Sequence, residues 1–188
     1  MKATRKLLWP ASLCLFSVLC AVACAGGPPP QGEPSVAVRV LNRSEIKSRW
    51  GAISSANPFL EPRGLIKGQP DEFIVIEVDF FLPARSSLSF DASAEGADGQ
   101  TVAWMKDAAA FFDYWSVWDT MGDSSKRAAT IQSDYLRGKA FAYPSGNHRY
   151  FLVLVGKNPL PRPATIRVAA QMENLGRSWE LPLPEHGR

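Results

Sequence analysis

Between Phe73 and Leu82 the chain reads FIVIEVDFFL, and Ile74, Ile76, Val78, Phe80 and Leu82 place an apolar side chain at every second position. Successive side chains of a strand point to opposite faces. One face of this run must therefore be buried, while Glu77 and Asp79 share the other, where carboxylates ordinarily meet solvent. The period recurs along the chain. VAVRVL (Val36–Leu41) sets Val36, Val38 and Val40 against Ala37 and Arg39. SLSFDAS sets Leu88, Phe90 and Ala92 against Ser89 and Asp91, and TIRVAAQM sets Ile166, Val168, Ala170 and Met172 against Thr165, Arg167 and Gln171. RYFLVLVG (Arg149–Gly156) is apolar on both faces, which suits a central strand, and RSWELP near the end can add one more. Short period-two runs in series, with no regular helix between them, predict a mainly β domain built as a sandwich rather than a parallel α/β sheet.

The stretch YPSGNHRYFLVLV, Tyr143 to Val155, carries a Pro-Ser-Gly-Asn turn into a Tyr on a strongly apolar strand. It resembles the approach to strand F of immunoglobulin-like domains. The resemblance covers about 13 residues and lacks the cysteine pair of antibody domains. It implies an immunoglobulin-like β-sandwich in architecture only.

The N-terminal residues have a different character. Lys2, Arg5 and Lys6 precede an uncharged, mostly apolar stretch from Leu7 to Ala23 that ends in small residues. A basic head, a short apolar middle and a small-residue end are the marks of a secretory signal. A retained membrane helix is the alternative, and Pro10 counts against it. AVAC, Ala21 to Cys24, resembles the lipobox of bacterial lipoproteins, with Ala21 where such proteins most often carry Leu. That resemblance implies cleavage before Cys24 and acylation of its side chain, with residues 1–23 removed. The rival is an ordinary cut after Ala25. All three cysteines, at 14, 20 and 24, lie in this region, so lipidation would leave Cys24 as the sole cysteine. AGGPPPQGEPS then reads as an extended tether, reaching roughly 30 Å at about 3.1 Å per residue. The domain proper is expected over 36–188, long enough for one sizeable core without disulfides.

Charge excludes one class of partner. Three of the 21 basic residues lie in the leader, so the remaining 18 balance 18 acidic residues. A nucleic-acid binder is expected to keep a basic excess, and no nucleic-acid partner is expected. The distribution is uneven. Asp71 to Asp123 holds eleven acidic residues against Arg85 and Lys106, while Ser124 to Met172 holds eight basic residues against Asp134. Either the two halves neutralise one another across the fold, or the domain has an acidic and a basic side.

FFDYWSVWD, Phe111 to Asp119, packs five aromatic residues into nine positions. Read as a helix, Phe111, Tyr114, Trp115 and Trp118 form one apolar stripe. Asp107 stands where an N-cap would and Gly122 where the helix would stop. The stripe is expected to pack against a sheet; the alternative is an exposed platform, centred on Trp115 and Trp118, for a glycan or peptide.

No catalytic signature is present. His148 and His186 are the only histidines, and neither a zinc-protease, a nucleophile-elbow nor a phosphate-loop pattern occurs. Neither a metal nor a cofactor is expected. DASAEGADG, Asp91 to Gly99, is acidic but lacks the order of a calcium loop and reads as a solvated turn. GKNPLPRP, Gly156 to Pro163, reads as a stiff, basic hairpin loop whose Lys157 and Arg162 are candidates for partner binding. The expected function is that of a non-catalytic lipoprotein, anchored to the membrane of a bacterial cell envelope, that binds or scaffolds another envelope component. The alternative is a glycan- or peptide-binding module.

Overall fold

The computed structural model describes residues 32–53, 56–61, 71–116, 124–136, 140–172 and 175–183. The leader, Cys24 and most of the tether fall outside these residues, as do Trp118, Gly122 and His186. Among the described residues, eight strands and three helices follow in the order β1 (Ser35–Val40), α1 (Arg43–Trp50), β2 (Glu72–Leu82), β3 (Ser86–Gly96), β4 (Thr101–Met105), α2 (Ala108–Ser116), α3 (Ser124–Asp134), β5 (Ala140–Tyr143), β6 (Gly146–Gly156), β7 (Ala164–Met172) and β8 (Leu175–Pro182). None of these helices is long and apolar enough to cross a membrane.

All strand pairs are antiparallel, in the order β1-β2-β6-β4-β3-β7-β8, with β5 added to β3. The chain forms a β-sandwich whose layers, β1-β2-β6-β4 and β3-β7-β8, are joined where β4 pairs with both β6 and β3. The edge strands β1 and β8 return beside one another, so the sandwich is nearly closed like a barrel. These two orders are those of the A-B-E-D and C-F-G sheets of an immunoglobulin-like domain. They also correct one detail of the resemblance. The run ending in Val155 is β6, which lies beside β2 in the place of strand E, and β7, between β3 and β8, takes the place of strand F.

The period-two faces explain the interior. Ile74, Ile76, Val78, Phe80 and Leu82 of β2 are buried against Leu88, Phe90, Ala92 and Ala94 of β3 and Ile166, Val168 and Ala170 of β7. Phe80 meets Phe90 across the layers with ring centroids 6.0 Å apart. The stretch taken for a solvated turn is strand as far as Gly96. Only its end turns, through Gly99 at φ +78°, where Asp98 Oδ1 accepts the Gln100 N–H.

The second face of β2 and β6 is covered as well, and this makes a third layer. Phe73, Val75 and Glu77 of β2 and Phe151, Val153 and Val155 of β6 are all buried. Helix α1 starts at a capping box, in which Asn42 accepts the Glu45 N–H and Glu45 accepts the Asn42 N–H. It delivers Trp50 onto Phe151 at 4.7 Å, and the Trp50 indole N–H donates to Asp134 of α3 at 2.7 Å. The turn at 57–60 is held by buried Asn57, whose amide donates to the Gly51 carbonyl at 2.7 Å and whose Oδ1 accepts the Phe59 N–H at 2.9 Å. Tyr135 closes the layer at the end of α3. Its hydroxyl donates to the Lys106 carbonyl at 2.6 Å and accepts the Val153 N–H at 3.1 Å, so it stands in for a missing ladder partner on β6. Burial pushes the phenol pKa well above its ordinary value.

Candidate functional site

Five residues were candidates from the sequence, and two of them, Cys24 and Trp118, lie outside the described residues. Trp115 lies on α2, whose N-terminus is capped as expected, with Asp107 Oδ1 accepting the Ala110 N–H at 2.7 Å. Trp115 is only 5% exposed. Its indole N–H donates to the Pro58 carbonyl at 3.0 Å, Phe73 packs edge-on against its ring, and the Arg127 guanidinium lies 4.8 Å above it. Phe111 is buried on the same stripe, stacked on Tyr135 at 4.8 Å. The ring of Trp115 is thus built into the third layer.

Lys157 and Arg162 sit on the connection between β6 and β7. These strands do not pair with one another, so the segment is a crossover between layers and not a hairpin loop. Lys157 is exposed. Leu160 is buried, and its N–H donates to Glu72 Oε2 at 2.9 Å. Arg162 donates to Glu72 Oε1 at 2.7 Å. A buried carboxylate on β2 therefore fastens the crossover.

That pair is one of several that join the acidic and basic halves. Pairing β2 with β6 and β3 with β7 lays one half of the sequence against the other. Arg149 bonds Asp79 through two nitrogens, at 2.6 and 3.0 Å, and Arg167 bonds Glu95 at 3.2 Å. Where these pairs form, opposite charges cancel within the fold. Glu77, expected on a wet face, is 3% exposed. Arg39 donates to it at 2.8 Å, Arg49 from α1 donates to its other oxygen, and Arg149 lies 3.9 Å away. The covering helix is the reason this carboxylate left the solvent.

Beyond Glu77 the helices no longer cover the sheet. Register places Ala37, Asp79 and Arg149 in one row across β1, β2 and β6, and Ser35, Phe81 and Asn147 in the next. All six lie on the same outer face, over a groove of about 440 Å³ whose remaining lining comes from Val36, Phe80 and His148. Asp79 and Arg149 remain accessible, at 39% and 57%. The hydrogen bonds that Arg149 donates to Asp79 hold its guanidinium above its ordinary pKa, so it stays charged. His148 stacks on Phe80 at 4.9 Å, and its Nε2 lies 2.8 Å from the Pro144 carbonyl. The groove thus presents a fixed carboxylate–guanidinium pair, an amide, a hydroxyl and a half-buried aromatic ring. The alternation of Glu77 and Asp79 was visible in the sequence, but Arg149, Asn147 and Ser35 join Asp79 only through strand pairing. Among the described residues no three His, Cys, Asp or Glu side chains gather as a metal site would require.

Comparison of the chain with protein-family models, with curated proteins and with solved structures returned no significant match.

Proposed function

We propose that this protein is a lipid-anchored component of a bacterial cell envelope whose immunoglobulin-like domain binds another envelope component without catalysing a reaction. The observation that carries the reading is the position of Cys24. It is the last cysteine of the chain, follows a basic and apolar leader, and precedes a Gly/Pro stretch that ends where β1 begins. An acylated residue there would hang the sandwich from the membrane on a short extended tether. The binding half of the reading is supported by how the reactive groups are used. Glu72 and Glu77 are fastened by arginines, and His148 is stacked on Phe80, whereas the groove over Asp79 and Arg149 stays open.

Cys24→Ser tests the anchor. The variant is expected to lose incorporation of radioactive palmitate and to pass from the detergent phase to the aqueous phase of a Triton X-114 partition. Unchanged labelling and partition would overturn the lipoprotein reading.

A further inference from the structure

We propose that the groove over Ala37, Asp79, Phe81, Asn147 and Arg149 is a binding site for an uncharged pyranose oligosaccharide. Three properties of the groove select that ligand class. The first is charge. Asp79 and Arg149 both line the groove and are bonded to one another, so their opposite charges cancel there. An anionic ligand would have to compete with the Asp79 carboxylate for Arg149, and a cationic one with the Arg149 guanidinium for Asp79.

The second is hydrogen-bonding character. A sugar hydroxyl is donor and acceptor at once. Asp79 offers acceptors, Arg149 offers donors, and Asn147 and Ser35 offer both. The bidentate Asp79–Arg149 bond holds these two side chains in place, which lowers the cost of ordering them on a ligand.

The third is the apolar floor. Phe81 is half-buried, with the Gly32 backbone against its ring edge: a β-carbon on Gly32 would stand 3.0 Å from Phe81 Cε1. Ala37 beside Asp79 keeps the floor low. The C–H face of a pyranose fits such a ring and floor, while its hydroxyls reach the polar row. The volume of about 440 Å³ falls within the roughly 300–1,000 Å³ typical of small-ligand sites. β1 follows directly from the tether, so the groove lies on the strand that the tether enters.

The inference rests on the binding half of the function proposed above and not on the anchor. The test is a backbone-amide NMR titration of the full chain in detergent with neutral trisaccharides of hexose and of N-acetylhexosamine, and with an oligogalacturonate of the same length. The expected result is perturbation centred on Ala37, Asp79, Phe81, Asn147 and Arg149 by a neutral trimer. Asp79→Ala and Asn147→Ala should each weaken that binding at least tenfold. Both substitutions remove exposed groups, and the folded spectrum should persist. Cys24→Ser should leave the titration unchanged, which separates failure of the anchor from failure of the groove. Perturbation confined to other parts of the domain, no perturbation by any neutral trimer, or tighter binding of the oligogalacturonate would each overturn the proposal.

Discussion

Arg162 and Glu72, ninety residues apart in the chain, form an ion pair at 2.7 Å that ties the β6–β7 crossover to the first residue of β2. Glu72 is nearly inaccessible, and its second oxygen is taken by the Leu160 N–H. Removing one partner of a buried pair leaves a charge without compensation, at a cost of about 3–5 kcal/mol. Arg162 keeps a side-chain exposure of 26%, which lets water in and puts this pair at the lower end of that range or below it. Arg162→Glu is expected to lower unfolding free energy by about 2–3 kcal/mol, whereas exposed Lys157→Glu should change it by less than about 0.5 kcal/mol. Urea denaturation of the two single variants distinguishes them; equal effects would contradict a structural role for Arg162.

Trp115 should be among the most sensitive positions of the third layer. Its truncation removes packing against Phe73 and Arg127 and the bond to Pro58. Trp115→Ala is expected to cost about 3–5 kcal/mol, as large aromatic truncations in cores do. Trp115→Phe keeps much of the ring and should cost only about 1–3 kcal/mol, chiefly from the Pro58 carbonyl left without its donor. Denaturation midpoints of both variants check the order, and a loss under about 0.5 kcal/mol for the alanine variant would place the ring on the surface.

Gly156 ends β6 opposite Ala103 of β4. A β-carbon there would collide with the Val102 carbonyl oxygen and stand 2.9 Å from the Ala103 β-carbon. One of these contacts is backbone and cannot rotate away. Gly156→Ala is therefore expected to destabilise the fold by about 1–3 kcal/mol through overpacking, although alanine is the better residue for conformational entropy elsewhere. Thermal unfolding followed by circular dichroism reads the effect; an unchanged or raised midpoint would contradict the close approach.

Acid sensitivity should have a component from the start of α1. The Glu45 carboxyl lies below its ordinary value of 4.5 because it accepts the Asn42 backbone N–H and, next, a bond from Arg39. A carboxyl lowered on folding adds stability above its unfolded pKa, and that increment is lost as pH falls through the lower folded value. Glu45 is well exposed, so the increment is a few tenths of a kcal/mol. Glu45→Gln should be slightly less stable than the parent at pH 7 and lose less when the pH is taken from about 5 to about 3. Guanidinium titrations at the two pH values measure the difference, and equal losses would show that the capping box is not formed in solution.

Much of the sandwich was legible in the chain because strand burial obeys a period of two. Every run read as a strand falls on a strand, with only Leu41 overrunning the end of β1, and the stripe of Phe111 and Trp115 is helical and buried as its spacing implied. The short strands β4 and β5 escaped because TVAWM and AFAY are too brief to display a period. Helix α1 escaped although its capping residues, Asn42 and Glu45, stood in the sequence; its residues are largely polar and carry no apolar stripe.

What only the tertiary structure decided is which residues of distant strands face one another. Periodicity assigns a side chain to a face, but pairing and register depend on loop paths and on packing between layers. Glu77 and Asp79 are indistinguishable by pattern, yet the first is enclosed by α1 and its arginines and the second opens onto the groove with Arg149. Arg162 likewise read as a free loop charge until the crossover brought it to Glu72. Local sequence sets the alternation, turns and caps because these depend on neighbours within a few residues. The partners of a charge are set by chain segments seventy or ninety residues away, as for Arg149 with Asp79 and Arg162 with Glu72.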